Sequence, residues 1–288
     1  MKMGRRTAHQ FAVILCCFFS AFTDAAALSG AHAQVGSMAG IPNFFDARAA
    51  PVQPPSIEGI RFTTSDDFPP FNFTDSSGRL VGFNVDLARA ICEELGVPCT
   101  IQARPFEDLL AAIADDRADA AIAGIAINVD TRRAIDFSDV YLRLPARFAV
   151  RQDESLEISV DGLSGRGIAV VTGTSHEAFL RAFFNEATIV SFDNAEEARI
   201  ALKEHEVDAL FGDGMQLAFW LEGSESANCC VFAGGPYLES AFFGPGLAIA
   251  VRPDRPDMVA ALNSSLQAIN ANGIFAELYL RYFPLSFY

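Results

Sequence analysis

The sequence predicts an α/β protein in which short strands alternate with amphipathic helices. Short apolar runs such as residues 60–64 and 118–122 have the length and composition of strands buried in a sheet. Between them, apolar residues recur at every fourth position from Phe83 to Leu95, which is typical of one buried helix face. At 288 residues the chain is long enough for two compact domains, and the alternation favours layered α/β units.

The alternation continues through two successive units. In the first, we predict strands at 60–64, 100–103 and 118–122 and two helices, marked by Phe83, Leu87, Ile91 and Leu95 and by Phe106, Leu109, Leu110 and Ile113. In the second, we predict strands at 167–171, 189–192 and 207–211 and a helix at 195–203. After a break at 243–246, we predict a strand at 247–251, a helix marked by Met258, Leu262, Leu266 and Ile269, and a last helix between Gly273 and Phe283.

The first 33 residues have the pattern of a secretory signal peptide. Three basic residues precede an unbroken apolar run at 11–19, and residues 31–33 fit the small-x-small cleavage rule. No later run reaches the ~18 apolar residues that a membrane span needs. We therefore expect residues 1–33 to be removed on export, and residues 34–56, rich in Ala, Gly, Pro and Gln, to form a flexible N-terminal extension.

The charge of the exported chain excludes two classes of partner. The whole sequence has 21 Lys and Arg against 36 Asp and Glu, and residues 1–33 hold three of the former and one of the latter. The mature chain therefore carries 18 basic against 35 acidic residues, a net charge near −17. Such a surface repels nucleic acid and anionic lipid, so we expect neither as a partner.

Four of the six cysteines follow the signal segment. Cys92 and Cys99 flank a helix end and a turn, where a disulfide would join the helix to the next strand, and export permits such a bond. Two separately buried thiols are the alternative. Cys229 and Cys230 are neighbours, and a vicinal disulfide, two free thiols and a mixed disulfide all remain open. The scattered His residues give no zinc pattern.

Two segments carry the functional signal. The first, Gly173-Thr174-Ser175-His176-Glu177, can open a helix whose hydroxyls and free amides would hold an anion, although the Thr-x-x-Glu capping box has a purely structural reading as well. The second, residues 207–213, reads as a short buried strand ending in Asp213, a carboxylate that needs a cation if it is buried. Together they suit a small zwitterion such as an amino acid.

The order of several motifs resembles the family 3 extracellular solute-binding proteins, the amino-acid receptors of ABC importers. The resemblance covers residues 57–284 and rests on the segments 67–71 (DFPPF), 82–88 (GFNVDLA), 119–124 (DAAIAG), 136–138 (DFS) with Tyr141, 173–175 (GTS), and 207–209 (VDA) with Asp213. Asn84 stands where the family usually has an acid. Some members also have a disulfide with the Cys92–Cys99 spacing.

The resemblance implies a two-lobed type II periplasmic-binding-protein fold with two crossing hinge strands. Lobe 1 would comprise residues 57–144 and 244–288, and lobe 2 residues 145–243, with the ligand held between lobes that close on it. The same resemblance implies a periplasmic monomer that binds a polar amino acid or a related zwitterion, uses no cofactor or metal, and delivers its ligand to an ABC permease in the inner membrane.

Carried over residue by residue, the resemblance implies a set of ligand contacts. Phe68 would stack on the ligand, Thr174 and Ser175 would hold its carboxylate and Asp213 its ammonium, and His176 would tune specificity. Phe106 would form the opposite wall, although it also fits the apolar stripe of its own helix.

The carboxylate clamp of the family is altered in this chain. The clamp segment runs from Gly124 through Ala126, which replaces the usual Ser or Thr, and Thr131 occupies the place of the family's arginine. Arg132 comes one residue late and is our expected clamp. The alternatives are a substitute among Arg133, Arg143 and Arg147, a solvated Arg132, or a ligand without a standard α-carboxylate.

Three functional hypotheses follow. The first is the solute-binding component of an importer. The second is a periplasmic enzyme on the same scaffold, resembling the cyclohexadienyl dehydratases, in which His176, Glu177 and Asp213 would be the candidate acids and bases. The third is a sensor module that presents its lobes to a membrane protein without transport.

Overall fold

The computed structural model describes residue 42, residues 55–283 and residues 286–288. The predicted signal peptide at 1–33 lies outside these residues, as does most of the predicted extension at 34–56. All described residues belong to the unit Met38–Tyr288. Among them, no helix has both the length and the apolarity needed to cross a membrane.

The elements alternate between strand and helix along most of the described chain. The first part contains β1 (Ile60–Thr64), β2 (Asp67–Phe68), β3 (Asn72–Thr74), β4 (Leu80–Val81), α1 (Phe83–Leu95), β5 (Cys99–Ala103), α2 (Leu109–Ala114), β6 (Ala120–Ala121), α3 (Thr131–Ala134) and β7 (Asp136–Phe137). The second contains β8 (Ala146–Arg151), β9 (Gly167–Val171), α4 (Ser175–Phe183), β10 (Thr188–Phe192), α5 (Ala195–Lys203), β11 (Ala209–Asp213), α6 (Gly214–Glu222), β12 (Cys230–Tyr237) and α7 (Ser240–Phe243). The last contains β13 (Ala250–Val251), α8 (Pro256–Ala271) and α9 (Ile274–Tyr282).

The first sheet takes strands from both ends of the described chain. Its order is β5-β1-β6-β13-β7, with β1 parallel to β5 and β6, and β13 antiparallel to β6 and β7. Because β13 follows the whole second sheet in sequence, this lobe is discontinuous, as predicted. A separate three-stranded sheet of β2, β3 and β4 precedes α1.

The second sheet is formed within one continuous stretch of chain. Its order is β10-β9-β11-β8-β12, with β9 parallel to β10 and β11, and β8 antiparallel to β11 and β12. In this register Asp213 at the end of β11 faces Ala146 at the start of β8. The parallel strands β9 and β11 therefore end at the same edge, which is where α/β sheets bind ligands.

Two crossing segments connect the sheets, and they pair with each other. The Leu247 amide donates to the Leu142 carbonyl at 2.6 Å, and the Tyr141 amide donates to the Leu247 carbonyl at 2.9 Å. Leu142 and Leu247 thus form an antiparallel bridge between the strand that leaves the first sheet and the strand that returns to it. The two-lobed fold with crossing hinge strands is confirmed.

The predicted helix stripes form the core of the first lobe. The α1 stripe and the α8 stripe join β1 and α9 in one buried cluster, in which Phe62, Phe83, Leu87, Leu262 and Phe275 are almost completely excluded from solvent. A four-residue spacing placed on two neighbouring helices produces this packing directly, because it puts the apolar side chains of each helix on one face.

The sequence patterns do not predict β8, β12 or α6. All six residues of β8 are buried, and two of them are arginines, which a pattern analysis assigns to the surface. Arg151 can be buried because its guanidinium donates to the Glu154 carboxylate at 2.6 Å and to the carbonyls of Leu202 and Val207.

The predicted strands at 118–122 and 247–251 are shorter than expected, with two residues each in the ladder.

Both cysteine pairs are disulfide-bonded. The Cys92–Cys99 bond joins the last turn of α1 to the first residue of β5 with the Cα atoms 6.1 Å apart. Between them, Gly96 ends the helix in the left-handed conformation at φ 66°, which turns the chain back toward the sheet. Of the three states that the sequence leaves open for Cys229 and Cys230, the structure has the vicinal disulfide.

Replacing Cys92 and Cys99 together with Ala is expected to lower the free energy of unfolding by about 2 kcal/mol, because the bond restricts the unfolded chain across a separation of seven residues. The Cys229→Ala/Cys230→Ala variant is the control, since that bond joins neighbours and restricts very little chain. Urea unfolding of both variants measures the difference. An equal or larger loss in the control would contradict the expectation.

Candidate ligand-binding site

Three helices of the second lobe begin at one edge of its sheet. α4 follows β9, α5 follows β10, and α6 follows β11, so that their N-termini converge at the carboxyl ends of the parallel strands. A cavity of about 240 Å³ opens there. It is lined by Val171, Thr174, His176, Ala195, Arg199, Leu210, Phe211, Gly212, Asp213, Gln216 and Leu217. Helix N-termini carry free amides and partial positive charge, so this edge favours an anionic group.

The predicted capping box closes at the start of α4. The Thr174 hydroxyl accepts the Glu177 amide at 3.3 Å, and the Glu177 carboxylate accepts the Gly173 amide at 2.7 Å. Glu177 also accepts from Arg181 at 2.6 Å and from Ser191 at 2.7 Å. Thr174 and Glu177 are thus occupied within the protein, whereas Ser175 lies exposed as the first helical residue.

Asp213 lies opposite this helix start and caps α6. Its Oδ1 accepts the Gln216 amide at 2.8 Å. No Lys, Arg or His of the described residues forms an ion pair with it. Burial raises the pKa of the Asp213 carboxyl, against the lowering effect of the Gln216 and Met215 amides. A carboxylate in this position has hydrogen-bond donors but lacks a cation.

His176 separates the cavity from an aromatic cluster. Its ring stacks on Phe243 with centroids 5.2 Å apart and meets the edge of Phe211 at 6.0 Å. Burial lowers the pKa of His176 to about 4, so the imidazole is neutral at neutral pH. His176 therefore offers a neutral polar edge to the cavity rather than a charge.

Two of the residues predicted in the first lobe, Phe68 and Gly124, form an apolar wall. Phe68 is half-buried and stacks on Phe71 with centroids 4.9 Å apart. Gly124 has φ +69°, and a Cβ placed on it would lie 3.1 Å from the Phe68 ring, so glycine lets the two segments approach. A second cavity, of about 220 Å³, lies beside this wall. It is lined by residues 124–127, Leu144 and residues 243–247.

Comparison with known proteins identifies the family. Residues 60–285 match the family model described as bacterial extracellular solute-binding proteins, family 3. The chain belongs to this family.

Its relatives span most of its length. The ABC transporter arginine-binding protein 1 of Escherichia coli (strain K12) is 30% identical over 229 residues, which are 80% of this chain and 92% of that protein. The L-arginine-binding protein of Pseudomonas aeruginosa is 27% identical over 231 residues, 80% of this chain and 89% of that protein. Among solved structures, the L-cystine solute receptor of Neisseria gonorrhoeae, in its unliganded open conformation, has a TM-score of 0.69 at 19% identity, covering 80% of this chain and 94% of that one. That last likeness concerns the fold alone.

The arginines considered for the clamp of this solute-binding protein do not line either cavity. Arg132 is exposed, with its guanidinium carbon 5.7 Å from the centroid of the Phe137 ring. Arg133 pairs with Asp130 at 3.1 Å. Arg147 is buried 4.5 Å from the centroid of the Phe232 ring. Neither these nor Arg143 are among the lining residues.

The loop that should carry the clamp is held by its own side chains. The Thr131 hydroxyl donates to the Ala126 carbonyl at 2.7 Å, and the Asn128 side chain accepts the Thr131 amide at 2.9 Å. The segment from Ala126 to Thr131 is therefore closed by internal hydrogen bonds, in place of a group directed at a ligand.

Arg199 is the cavity residue that the sequence analysis missed. It lies on α5 four residues after Ala195, which puts both on one helix face. Its Nε atom is buried without a hydrogen-bond partner among the described residues, and burial lowers its pKa. On the predicted helix at 195–203, Arg199 lies three residues before the buried Leu202, a spacing that turns it toward the interior, but the spacing does not show that its guanidinium lacks a partner.

For Phe106, the sequence allows either a contact with the ligand or a place in the apolar stripe of its own helix, and the structure excludes the second. Phe106 is 48% exposed and begins a 3₁₀ turn, Phe106–Asp108, while Leu109 and Ile113 of α2 are fully buried. Phe106 therefore does not continue the apolar stripe.

Within the described ranges, no group of three or more His, Cys, Asp or Glu side chains could hold a metal ion.

Lowering the pH is expected to destabilise the ligand-free protein through His176. Its pKa in the fold is about 4, below the ordinary value of 6.5, so the unfolded state takes up the proton first and the stability is lost as the pH falls from 6.5 toward 4. At pH 5 the loss relative to pH 7.5 should reach about 2 kcal/mol.

The His176→Phe variant isolates this effect, since an aromatic ring can keep the stacking on Phe243. Urea unfolding at the two pH values should show a smaller loss in His176→Phe than in the wild type, whereas His205→Gln, a change at an exposed histidine, should keep the wild-type loss. Equal pH dependence in all three proteins would contradict the burial of a neutral His176.

Proposed function

We propose that this protein is the periplasmic substrate-binding component of an ABC importer and that its ligand is an amino acid or a related small zwitterion. The observation that carries the proposal is the cavity at the edge of the second sheet. Asp213 supplies a carboxylate without a cation, and the start of α4, where Thr174 and His176 line the cavity, supplies amide donors for an anion. An ammonium and a carboxylate on one small molecule would satisfy both.

The family supports the location and the partner. Relatives named as components of ABC transporters cover nearly the whole described region, so the partner we propose is an inner-membrane permease. The signal-like pattern at 1–33 supports export to the periplasm. We propose a monomer whose lobes, residues 57–144 with 244–288 and residues 145–243, close on the ligand by bending at the paired segments around Leu142 and Leu247.

We infer binding rather than catalysis from the state of the candidate acids and bases. Glu177 accepts three hydrogen bonds, which hold its pKa near 2, so it has no proton to donate at neutral pH. Asp213 is committed to the α6 cap, and His176 packs between two aromatic rings. The hydrogen bonds and ring contacts of these three residues support a role in holding a ligand rather than in proton transfer.

A thermal-shift screen tests the proposal. The panel contains the common amino acids, with L-arginine first because two relatives carry its name, together with polyamines and small organic acids. A compound present at 100 times its Kd should add about 2.7 kcal/mol of stability. Stabilisation by at least one amino acid is the expected result. Silence across all amino acids and amines would overturn the proposal.

Replacing Asp213 with Asn should weaken amino-acid binding without weakening the fold. The raised pKa shows that the fold disfavours the ionised carboxylate, so its neutral isostere should make the ligand-free protein as stable as the wild type or more stable at pH 7. Asn still accepts the Gln216 amide as a helix cap. Amino-acid affinity should fall at least about tenfold, because the ammonium loses its counter-charge.

The Asp213→Ala variant distinguishes the proposed ligand contact of this residue from its role as a helix cap. Its amino-acid affinity should fall as in Asp213→Asn. Its free energy of unfolding should also fall by about 1 kcal/mol, because the helix cap is removed. Isothermal titration calorimetry and urea unfolding measure the two properties. Retained affinity in both variants would place the ammonium elsewhere.

A further inference from the structure

Arg199 lies where two neighbouring cavities meet. With Asp213, it lines the cavity at the edge of the second sheet. With Gln216, it also lines a neighbouring cavity of about 460 Å³, which extends from α6 and the following turn to Pro69 and Pro70 of the first lobe. The guanidinium is therefore placed beside space that a small molecule can enter from either side.

The guanidinium has no counter-ion within the described chain. Its Nε atom is buried without a hydrogen-bond partner, and no carboxylate lies within ion-pair distance. Glu196 and Glu225 raise its pKa only through longer-range attraction, and burial outweighs them. The Trp220 ring, 5.8 Å from the guanidinium carbon, covers part of the group without satisfying its donors.

Two other arginines of the same lobe show that this state is unusual. Arg151 is more deeply buried, yet its donors reach Glu154, Leu202 and Val207. Arg147 also has an unpartnered Nε, but its guanidinium stacks closely on Phe232 at 4.5 Å and lines none of the cavities described here. Among these three, Arg199 combines missing partners with access to a cavity.

Arg199 and Asp213 are opposite charges that share a cavity without pairing. Neither contributes to the pKa shift of the other, and no ion pair joins them. Asp213 has amide donors but no cation, the Nε atom of Arg199 has no hydrogen-bond partner, and leaving two partly dehydrated charges in that state is unfavourable. An occupant that carries both an ammonium and a carboxylate would satisfy the two groups together.

We propose that Arg199 binds the ligand's carboxylate and so replaces the clamp that the loop around Thr131 no longer provides. The planar guanidinium can hold a carboxylate through two parallel hydrogen bonds, and the free amides at the start of α4 lie along the same cavity wall. Both charges of the zwitterion are then held by the second lobe. This inference rests on the proposed function and specifies which group of the ligand Arg199 recognises.

Paired probes that differ only in the carboxylate test the proposal by isothermal titration calorimetry. The pairs are L-arginine with agmatine, L-lysine with cadaverine, L-histidine with histamine, and L-glutamate with 4-aminobutyrate. The proteins, each expressed from the full-length sequence, are the wild type, Arg199→Met, Arg199→Lys and the control Arg166→Met. Arg166 is an exposed arginine of the same lobe, paired with Asp208 at 3.4 Å and outside the cavities described here.

The wild type should bind at least one amino acid about tenfold or more tightly than its decarboxylated amine. In Arg199→Met this preference should fall to within about twofold, whereas Arg166→Met should retain it. Arg199→Lys should recover part of the preference, because it keeps the charge and loses the bidentate geometry. Ligand-free thermal unfolding of Arg199→Met confirms that the variant is folded.

Two results would overturn the inference alone. One is an Arg199→Met protein that keeps the wild-type preference. The other is a variant that keeps that preference although both affinities fall by the same factor, because a structural role against Trp220 would do that. A wild type that binds none of the eight probes, tested with the wider panel above, would overturn the proposed function itself.

Discussion

The site depends on a carboxylate that stands without a cation at the point where β11 ends and α6 begins. Asp213 caps the helix through the Gln216 amide, so local structure accounts for its presence. Local structure does not account for its charge, since Asn caps a helix equally well and would avoid the unfavourable burial that raises the pKa. A residue whose ionised form is disfavoured by burial is typical of a site whose ligand supplies the missing partner.

The same residue ties the site to the hinge. In the ladder between β11 and β8, Asp213 lies opposite Ala146, the first strand residue after the crossing segment. The next residue, Gly214, donates its amide to the Pro145 carbonyl at 2.8 Å. A Cβ at Gly214 would lie 2.8 Å from that carbonyl oxygen, so only glycine allows this approach. A ligand bound at Asp213, as proposed above, would therefore lie one peptide away from the segment that joins the lobes.

The sequence alone predicts the parts of the fold that follow a single periodicity. The stripes of α1 and α8 give both helices and the faces that they bury, and the capping box at Thr174 gives the start of α4 with its hydrogen bonds. It does not predict β8, because Arg147 and Arg151 are buried by partners that are distant in sequence. The sequence does not predict the role of Arg199 for the same reason. Its importance depends on the absence of a partner in three dimensions, and no spacing along the chain reveals that.

The altered clamp gives the two walls of the cleft different chemistry. In the first lobe, Phe68, Gly124 and Ala126 offer a ring face, backbone and a methyl group. The Thr131 hydroxyl donates its hydrogen bond to the Ala126 carbonyl. In the second lobe, the charged groups and three helix N-termini converge on one sheet edge. Charge recognition and apolar cover are thus separated between the lobes. On the proposed function, the second lobe would bind the zwitterion while the lobes are apart, and closure would then exclude water by placing the apolar surface of the first lobe over charges that are already paired.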